Sequence, residues 1–207
     1  RIAAELDGRI ELVCGAFSSD PSRSKRFGQE LYDLPPNRSY GTFNEMVTEE
    51  LRLSTEERMH FVVIATPNHL HFPVAESSLQ AGFHVVSDKP VTFDLGEART
   101  LRALAAEKDL LFGLTHNYTG YPMVKEAREL IRTGALGSIR RVIVEYIQGW
   151  LAERLETQGN KQAIWRTDPR FSGSAGCMGD IGTHGENLLE YVTGLEIESL
   201  CADLTTF

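Results

Sequence analysis

The feature that most constrains this chain is the alternation of short buried strands with helices over residues 1–117. Apolar runs with the length of buried strands, flanked by turn formers, occur at 10–17, 60–67, 83–88 and 110–117. Helical patterns fill the gaps at 20–31, 43–53, 73–81 and 94–108. Because short strands that alternate with helices indicate β-α-β units, we predict a parallel sheet with helices on both faces.

The pattern changes after Asn117, and we expect two domains, residues 1–117 and residues 118–207. Helices are predicted at 122–132 and 185–193, each closed by a glycine that suits a helix C-terminus. Residues 137–150 alternate as a longer, half-exposed strand does. Residues 152–178 are polar and lack a clear period, which predicts an excursion over the surface.

Composition restricts the class of protein. A chain of 207 residues with 42% hydrophobic and 24% charged residues is typical of a soluble globular protein. Its net charge of -8 disfavours nucleic acid and anionic membranes as partners. No apolar run approaches the roughly 20 residues of a membrane span. The cysteines Cys14, Cys177 and Cys201 are odd in number and widely spaced, so we expect buried free thiols in a reducing, cytoplasmic setting.

Both ends of the sequence suggest a longer parent protein. Residues 1–17 have the pattern of the last turns of a helix, a turn at Asp7-Gly8 and then a strand. Residues 198–207 stop within a strand pattern. We therefore expect an interior piece of a longer chain.

Polar side chains follow the predicted strand 60–67, where ligands of open parallel sheets bind. They are Thr66, Pro67, Asn68 and His71, placed just before a helix N-terminus that favours anions. The plain structural alternative is that Asn68 caps this helix and the neighbouring histidines are solvated.

Lys89 has the same placement after the next strand. The following Pro90 restrains Lys89 to an extended conformation. A lysine fixed in this way can stabilise a developing alkoxide or polarise a carbonyl. It could equally be an ordinary loop lysine.

Asp180 and His184 form a third candidate element, four residues apart in GDIGTH (179–184). In a helix both side chains would project from one face. A carboxylate beside an imidazole raises its basicity and fixes its tautomer. Alternatively, Asp180 caps the following helix and His184 is partly buried. A metal would need a third ligand, and the sequence offers no obvious cluster, so no metal is expected.

In this order, ATPNHLH, DKP, WRTDP and GD-x-G-x-H resemble the Gfo/Idh/MocA oxidoreductases (glucose-fructose oxidoreductase, inositol dehydrogenase and relatives) over essentially the whole chain. The resemblance implies a Rossmann domain that binds NAD or NADP, lacking here its first strand and phosphate loop. It also implies the start of an α+β domain with an open, largely antiparallel sheet for the substrate. A homodimer or homotetramer is the implied assembly.

The resemblance also implies roles for individual residues. The catalytic set is Lys89, Asp180 and His184, with the histidine as the acid/base and Lys89 also touching the nicotinamide ribose. The implied cofactor contacts are Ser18, Ser19, Arg23, Thr66, Pro67, Asn68, His71, Lys89, Trp165 and Arg166. The implied substrate contacts are Lys89, His116, Asn117, Tyr118, Asp180 and His184.

The sequence departs from the family pattern at several positions. Asp88 replaces the glutamate of the Glu-Lys-Pro signature, and Ser174-Ala175-Gly176 replaces a run of glycines, which changes the local loop. The GxGxxG phosphate loop has no counterpart, so we expect the chain as given to bind a dinucleotide poorly. Ser18 with Arg23 would suit NADP, an inward Asp20 would suit NAD, and Asp20 could simply cap a helix. We lean to NADP.

The implied activity is hydride transfer between a nicotinamide cofactor and a sugar, cyclitol or related polyol. In the oxidising direction His184 takes the hydroxyl proton. One alternative is an NAD-dependent glycoside hydrolase, which would release sugar without net change in nicotinamide absorbance. The other is a non-catalytic dinucleotide-binding regulator, which would have no need of Lys89, Asp180 and His184 together.

Overall fold

The computed structural model describes residues 5–205, and these form two compact units. The described part of the first unit comprises residues 5–65, 70–87 and 96–113. That of the second unit comprises 66–69, 88–95 and 114–205. The predicted helical turns at the start and the predicted strand at the end extend into residues 1–4 and 206–207, which lie outside the described residues.

A three-stranded parallel sheet is the framework of the first unit. Its strands are β1 (Phe61–Ile64), β2 (His84–Ser87) and β3 (Phe112–Leu114), in the order β1-β2-β3. Phe61 lies opposite His84, and Ile64 lies opposite Ser87. The predicted α/β class and three of its strands are confirmed.

The strand predicted at 10–17 is wrong. Within the described residues this segment has one isolated bridge, from Gly15 to Ser39. Gly15 N donates to Arg38 O at 3.2 Å, and Tyr40 N donates to Gly15 O at 2.9 Å. An apolar run supplies the burial that a strand needs, but a ladder also needs a continuous neighbour.

Helices flank this sheet in the sequence as predicted. They are α1 (Pro21–Tyr32), α2 (Phe43–Glu50), α3 (His71–Gln80) and α4 (Leu95–Glu107). Asp20 caps α1, because its Oδ1 accepts from Arg23 N at 2.7 Å. Gly82, just past α3, has a φ of 84°, which a residue without Cβ adopts freely.

The core of the first unit lies where α3, α4 and the sheet bury their apolar residues. Leu79 is 0% exposed, Phe83 1% and Leu101 2%. Leu101 and Ala105 lie on the apolar face that the sequence predicts for α4, and both are buried.

The second unit is built from helices and single turns. Its helices are α5 (Pro122–Arg132), α6 (Lys161–Thr167), α7 (Pro169–Ser172) and α8 (Thr183–Thr193). α5 and α8 pack together, and the Arg128 guanidinium lies 4.4 Å from the centre of the Tyr191 ring. Gly134 and Gly194, the predicted helix ends, have φ values of 75° and 71°. A wide turn of π-helix, Met178–Gly182, leads into α8.

The strand predicted at 137–150 is also wrong. No strand pairing occurs in this segment or in 195–205 within the described residues. Ile143 is 66% exposed and Ile147 92% exposed. Alternation sets which side chains share a face, but it does not supply the hydrogen-bonded partner that makes a strand.

The prediction that the cysteines are buried free thiols is confirmed only in part. All three are free, and Cys14 is buried as expected, but Cys177 and Cys201 are exposed. Burial, followed by the charge of Glu50, raises the pKa of the Cys14 thiol to about 12. No helix among residues 5–205 has both the length and the apolar character that crossing a membrane requires.

Candidate active site

The centre of the candidate site is an ion pair between Lys89 and Asp180. Lys89 comes just after β2 in the chain, and Asp180 lies in the wide turn before α8. Lys89 Nζ is 2.6 Å from Asp180 Oδ1 and also donates to the backbone oxygen of Asp180. The side chains are 13% and 18% exposed. Lys89 is therefore a fixed and largely buried cation rather than a solvated loop lysine.

Arg166 holds the other oxygen of the same carboxylate. Its Nε donates to Asp180 Oδ2 at 3.2 Å. Its guanidinium stacks 4.0 Å from the centre of the Trp165 ring and lies 5.6 Å from that of Trp150. Gln162 Oε1 accepts from Arg166 Nη1 at 2.6 Å and from Trp165 Nε1 at 3.1 Å. The Arg166 guanidinium therefore contacts two tryptophan rings and a glutamine oxygen while it binds the carboxylate.

These two cations decide the charge of Asp180. Burial by itself would raise the pKa of the Asp180 carboxyl. The hydrogen bonds and charges of Lys89 and Arg166 together outweigh burial and lower the pKa below its ordinary value of 3.8. Asp180 is therefore a carboxylate throughout the neutral pH range.

Asp180 does not pair with His184, which corrects the sequence expectation. Within residues 5–205 no hydrogen bond joins the two side chains, since the cations take both carboxylate oxygens. Asp180 lies in a π-helical turn, whose wider winding does not stack residues four apart as an α-helix does. The capping alternative is wrong as well, because Gly182 holds the N-cap position of α8.

His184 is a buried imidazole packed between aromatic rings. It is 6% exposed, and within the described residues its Nδ1 is buried with no hydrogen-bond partner. Its ring centre lies 4.5 Å from that of Tyr118 and 5.6 Å, edge to face, from that of His116. His116 Nε2 is likewise buried and unpartnered in this part of the chain.

The pKa of His184 moves in the direction opposite to the one expected from a neighbouring carboxylate. Burial lowers it first, followed by the charges of Lys89 and His116, against smaller raising effects of Asp180 and Asp88. Burial and the charge of Lys89 likewise lower the pKa of His116. Both imidazoles are therefore neutral at pH 7.

Tyr118 is linked to a residue that the sequence did not indicate. Its hydroxyl lies 2.7 Å from the hydroxyl of Tyr146. This hydrogen bond, followed by burial, raises the pKa of Tyr118 to about 12. Tyr146, Trp150 and Gln162 were all missed. Their types and spacing match no chemical motif, and only the folded chain brings them to the site.

Asp88 and Asn117 flank these groups in the same unit. Asp88 Oδ1 accepts from Lys89 N at 2.8 Å and from Thr115 Oγ1 at 3.1 Å. The aspartate that replaces the family's glutamate therefore fixes the backbone at Lys89. Asn117 is exposed and begins the single turn Asn117–Gly120.

The segment 66–69 also belongs to the second unit. Thr66 is half-buried and Pro67 is exposed. Asn68 is buried, and its Nδ2 donates to Ser172 O at 3.4 Å. Asn68 is therefore not the helix cap of the structural alternative, because α3 begins at His71 after Leu70.

The remaining predicted cofactor residues lie in the first unit. Ser18 is half-buried and its Oγ accepts from Asp20 N at 3.2 Å, whereas Ser19 and Arg23 are exposed. Exposed hydroxyl and guanidinium groups at the start of α1 fit the polar end of a dinucleotide. His71 is 0% exposed, so this side chain offers no surface to a cofactor, which corrects the sequence expectation.

Among residues 5–205 no three histidine, cysteine, aspartate or glutamate side chains group as a metal ion requires. The ionised groups that the site does contain are one carboxylate, Asp180, and the two cations that bind it, Lys89 and Arg166.

The parallel sheet and its helices make the first unit a Rossmann-type fold. Residues 4–116 match the model described as "Oxidoreductase family, NAD-binding Rossmann fold", and residues 124–207 match the GFO/IDH/MocA C-terminal domain. The chain therefore belongs to the Gfo/Idh/MocA oxidoreductase family.

Relatives of this family match the chain over most of its length. An uncharacterized oxidoreductase, YfiI of Bacillus subtilis, is 32% identical over 100% of this chain and 52% of its own. Levoglucosan dehydrogenase of Pseudarthrobacter phenanthrenivorans is 33% identical over 72% of this chain and 36% of its own. An inositol dehydrogenase homolog from Azotobacter vinelandii, solved with NAD⁺, superposes with a TM-score of 0.88 at 37% identity, over 93% of this chain and 49% of that chain. The chain spans about half the length of YfiI and of the inositol dehydrogenase homolog, and 36% of the length of the levoglucosan dehydrogenase.

Proposed function

We propose that this chain is part of an NAD(P)-dependent dehydrogenase or reductase that acts on a CH–OH group of a sugar, cyclitol or related polyol. The observation that supports it most is the fixed Lys89–Asp180 ion pair beside a neutral, buried His184. The names of the levoglucosan dehydrogenase and the inositol dehydrogenase homolog point to the same substrate class.

His184 is the proposed acid/base. A neutral imidazole can accept the proton of a substrate hydroxyl during oxidation and return it during reduction. Because Nδ1 is buried, Nε2 is the nitrogen left to exchange this proton. The nicotinamide cofactor, when bound, supplies the hydride acceptor or donor.

Lys89 and Asp180 are the proposed electrostatic partners. The Lys89 ammonium stabilises the partial negative charge that develops on the substrate oxygen. Asp180 acts on Lys89 rather than on His184, since it is the ammonium that Asp180 contacts at 2.6 Å. We propose that His116, Asn117 and Tyr118 line the substrate site from the turn after β3.

For the cofactor we propose NAD or NADP, with NADP preferred. In the first unit the proposed contacts are Ser18, Ser19 and Arg23. In the second unit they are Thr66, Pro67, Asn68, Lys89, Trp165 and Arg166. Asp20 already accepts the Arg23 N–H as a helix cap, which favours the exposed Arg23 guanidinium as a partner for a 2′-phosphate.

The domain limits and the assembly are also proposals. We propose that residues 1–117 belong to the dinucleotide-binding domain and residues 118–207 to the substrate domain. A homodimer or homotetramer is the assembly that the family resemblance implies.

His184→Gln in the intact protein tests the proposed function. We expect turnover of sugars and cyclitols to fall by about 10²–10⁴-fold, because the proton acceptor is lost. Binding of NAD and NADP, measured by fluorescence titration, should survive. The matched control is His60→Gln, because His60 is exposed and outside the site.

Near-wild-type turnover by His184→Gln would end the assignment. Measuring kcat/KM with both cofactors in the same assay tests the proposed NADP preference, which a higher value with NAD would overturn. Release of sugar without net change in nicotinamide absorbance would instead indicate a glycoside hydrolase.

A further inference from the structure

Within the described residues the His184 side chain packs against aromatic rings and makes no hydrogen bond. Its Nδ1 has no partner within residues 5–205, and the carboxylate of Asp180 is engaged elsewhere. An imidazole without such a bond is free to rotate about its χ2 torsion unless its neighbours prevent it. The nearest ring is that of Tyr118, at 4.5 Å between centres.

Tyr118 is itself fixed at its far end. The turn Asn117–Gly120 carries it after β3, and its hydroxyl meets that of Tyr146 at 2.7 Å. The two rings lie at an angle of 32°, with centres 6.0 Å apart. The hydroxyl pair therefore restrains the ring that lies against His184.

We propose that Tyr118, restrained by the hydroxyl of Tyr146, is a positioning residue that fixes the His184 imidazole for proton transfer. The proposal rests on the proposed function of His184 as acid/base. In this proposal Tyr118 affects the reaction by positioning His184. Tyr146 acts by restraining Tyr118, a role that no motif in the sequence indicates. A misplacement of about 1 Å in a reacting group costs about 10²-fold in rate, which sets the scale of the expected effect.

Tyr118 does not act as the proton donor itself. The hydrogen bond to Tyr146 and burial keep its pKa at about 12, so its hydroxyl stays protonated over the working pH range. A group that titrates so far from neutral pH is a poor acid or base for turnover.

The effect of the Tyr118 ring on His184 can be measured through the pKa of His184, which depends on the groups that face it. Lys89 and Asp88 follow β2, His116 and Tyr118 follow β3, and Asp180 precedes α8. Burial is the largest cause of the lowered pKa of His184. Removing the ring admits water, so the pKa of His184 should rise and the acidic limb of the kcat profile should move to higher pH.

The experiment compares Tyr118→Leu with Tyr118→Phe in the intact protein with its cofactor. We expect Tyr118→Leu to lower kcat by about 10²-fold, in addition to any change in KM from the lost substrate contact, and to move the acidic limb upward. Tyr118→Phe keeps the ring and loses the hydroxyl pair, so its kcat should fall by only about fivefold.

Tyr146→Phe removes the same hydrogen bond from the other side. It should match Tyr118→Phe, and the double variant should be no worse than either single variant, because one interaction is lost in all three. Tyr121→Leu is the control, since Tyr121 is 54% exposed and its ring contacts Tyr118 rather than His184. It should keep the wild-type kcat and pH profile.

The result that overturns the inference is a Tyr118→Leu variant with wild-type kcat, or one altered in KM alone. If Tyr118→Leu fails to fold, Tyr146→Phe decides, because an unchanged kcat in that variant overturns the restraint. Turnover retained by His184→Gln would overturn the proposed function instead. Turnover lost in His184→Gln but kept in Tyr118→Leu would overturn this inference alone.

Discussion

Each unit of the molecule contains a carboxylate that binds an arginine, and the two differ in their burial and in the groups that surround them. In the first unit Glu50 is fully buried. It accepts from Arg38 Nη2 at 2.9 Å, from the Tyr40 hydroxyl at 2.8 Å and from Met59 N at 2.8 Å. In the second unit Asp180 binds Lys89 and Arg166, but beside it His184 has a buried nitrogen without a partner among the described residues.

The difference separates a structural network from a candidate site. The donors around Glu50 come from the backbone, a tyrosine and an arginine, and together they engage both carboxylate oxygens. Cys14 next to it has a pKa of about 12 and is inert as a nucleophile at neutral pH. Around Asp180 two cations lie in the same unit as two buried imidazoles with lowered pKa values, and such clusters of perturbed titratable groups are typical of functional sites.

The largest effect on stability should come from Glu50→Gln. Removing the charge leaves Arg38 largely buried without its counter-ion, and breaking a buried pair from one side costs about 3 kcal/mol or more. Chemical denaturation of the intact protein should show this loss in the free energy of unfolding, with kcat of the folded fraction unchanged.

Glu49→Gln is the matched control, because Glu49 is more exposed and pairs with Arg52 at the surface. It should change the free energy of unfolding by less than about 0.5 kcal/mol. Equal stability of Glu50→Gln and Glu49→Gln would remove the distinction between the two carboxylates.

Asp180→Asn should impair turnover more than stability, which is the opposite of the effect expected for Glu50→Gln. We expect kcat to fall by about 10²-fold, because Lys89 loses the anion that holds it and developing charge on the substrate is stabilised less well. The free energy of unfolding should fall by less than in Glu50→Gln, because Asp180 is 18% exposed whereas Glu50 is 0% exposed. Steady-state kinetics and denaturation of the same samples check both expectations.

A loss of stability as large as that of Glu50→Gln, with turnover retained, would show that Asp180 is structural. Asp168→Asn is a suitable control in the same unit, because its partner Arg170 is 82% exposed. That variant should leave kcat near the wild-type value.

The smallest effect should be the pH dependence of stability in the second unit. The folded-state pKa values of His116 and His184 lie below the ordinary value of 6.5, because burial and then Lys89 disfavour the charged rings. The unfolded chain therefore binds protons first as the pH falls. The stabilising contribution is complete above about pH 6.5 and is lost as the pH falls through the folded values.

Denaturation of the intact protein between pH 7.5 and pH 5.5 measures this loss. His116→Gln and His184→Gln should each lose less stability on acidification than the wild type. His60→Gln, with its exposed side chain, should behave as the wild type does. An unchanged slope in His116→Gln and His184→Gln would show that these imidazoles are not held neutral by the fold.

Sequence patterns predicted the secondary structure well where it depends only on residues that are neighbours in the chain. The helix Pro122–Arg132 was predicted with its bounds, and α1 begins at the Asp20 cap. The strands at 10–17 and 137–150 were predicted wrongly because a strand depends on a partner elsewhere in the chain. The same limit applies to Asp180 and His184, whose spacing suggested a pair that the π-helical turn does not form.

The sequence by itself determined the α/β class, the order of the elements and the residue types that the chemistry needs, because periodicity, turn residues and short motifs are local properties. Only the tertiary structure decided that Asp180 contacts Lys89 and Arg166, that Tyr118 and Tyr146 share a hydrogen bond, and that His71 is buried. These are contacts between residues distant in the chain or questions of solvent access, and both follow from packing, which no local pattern encodes.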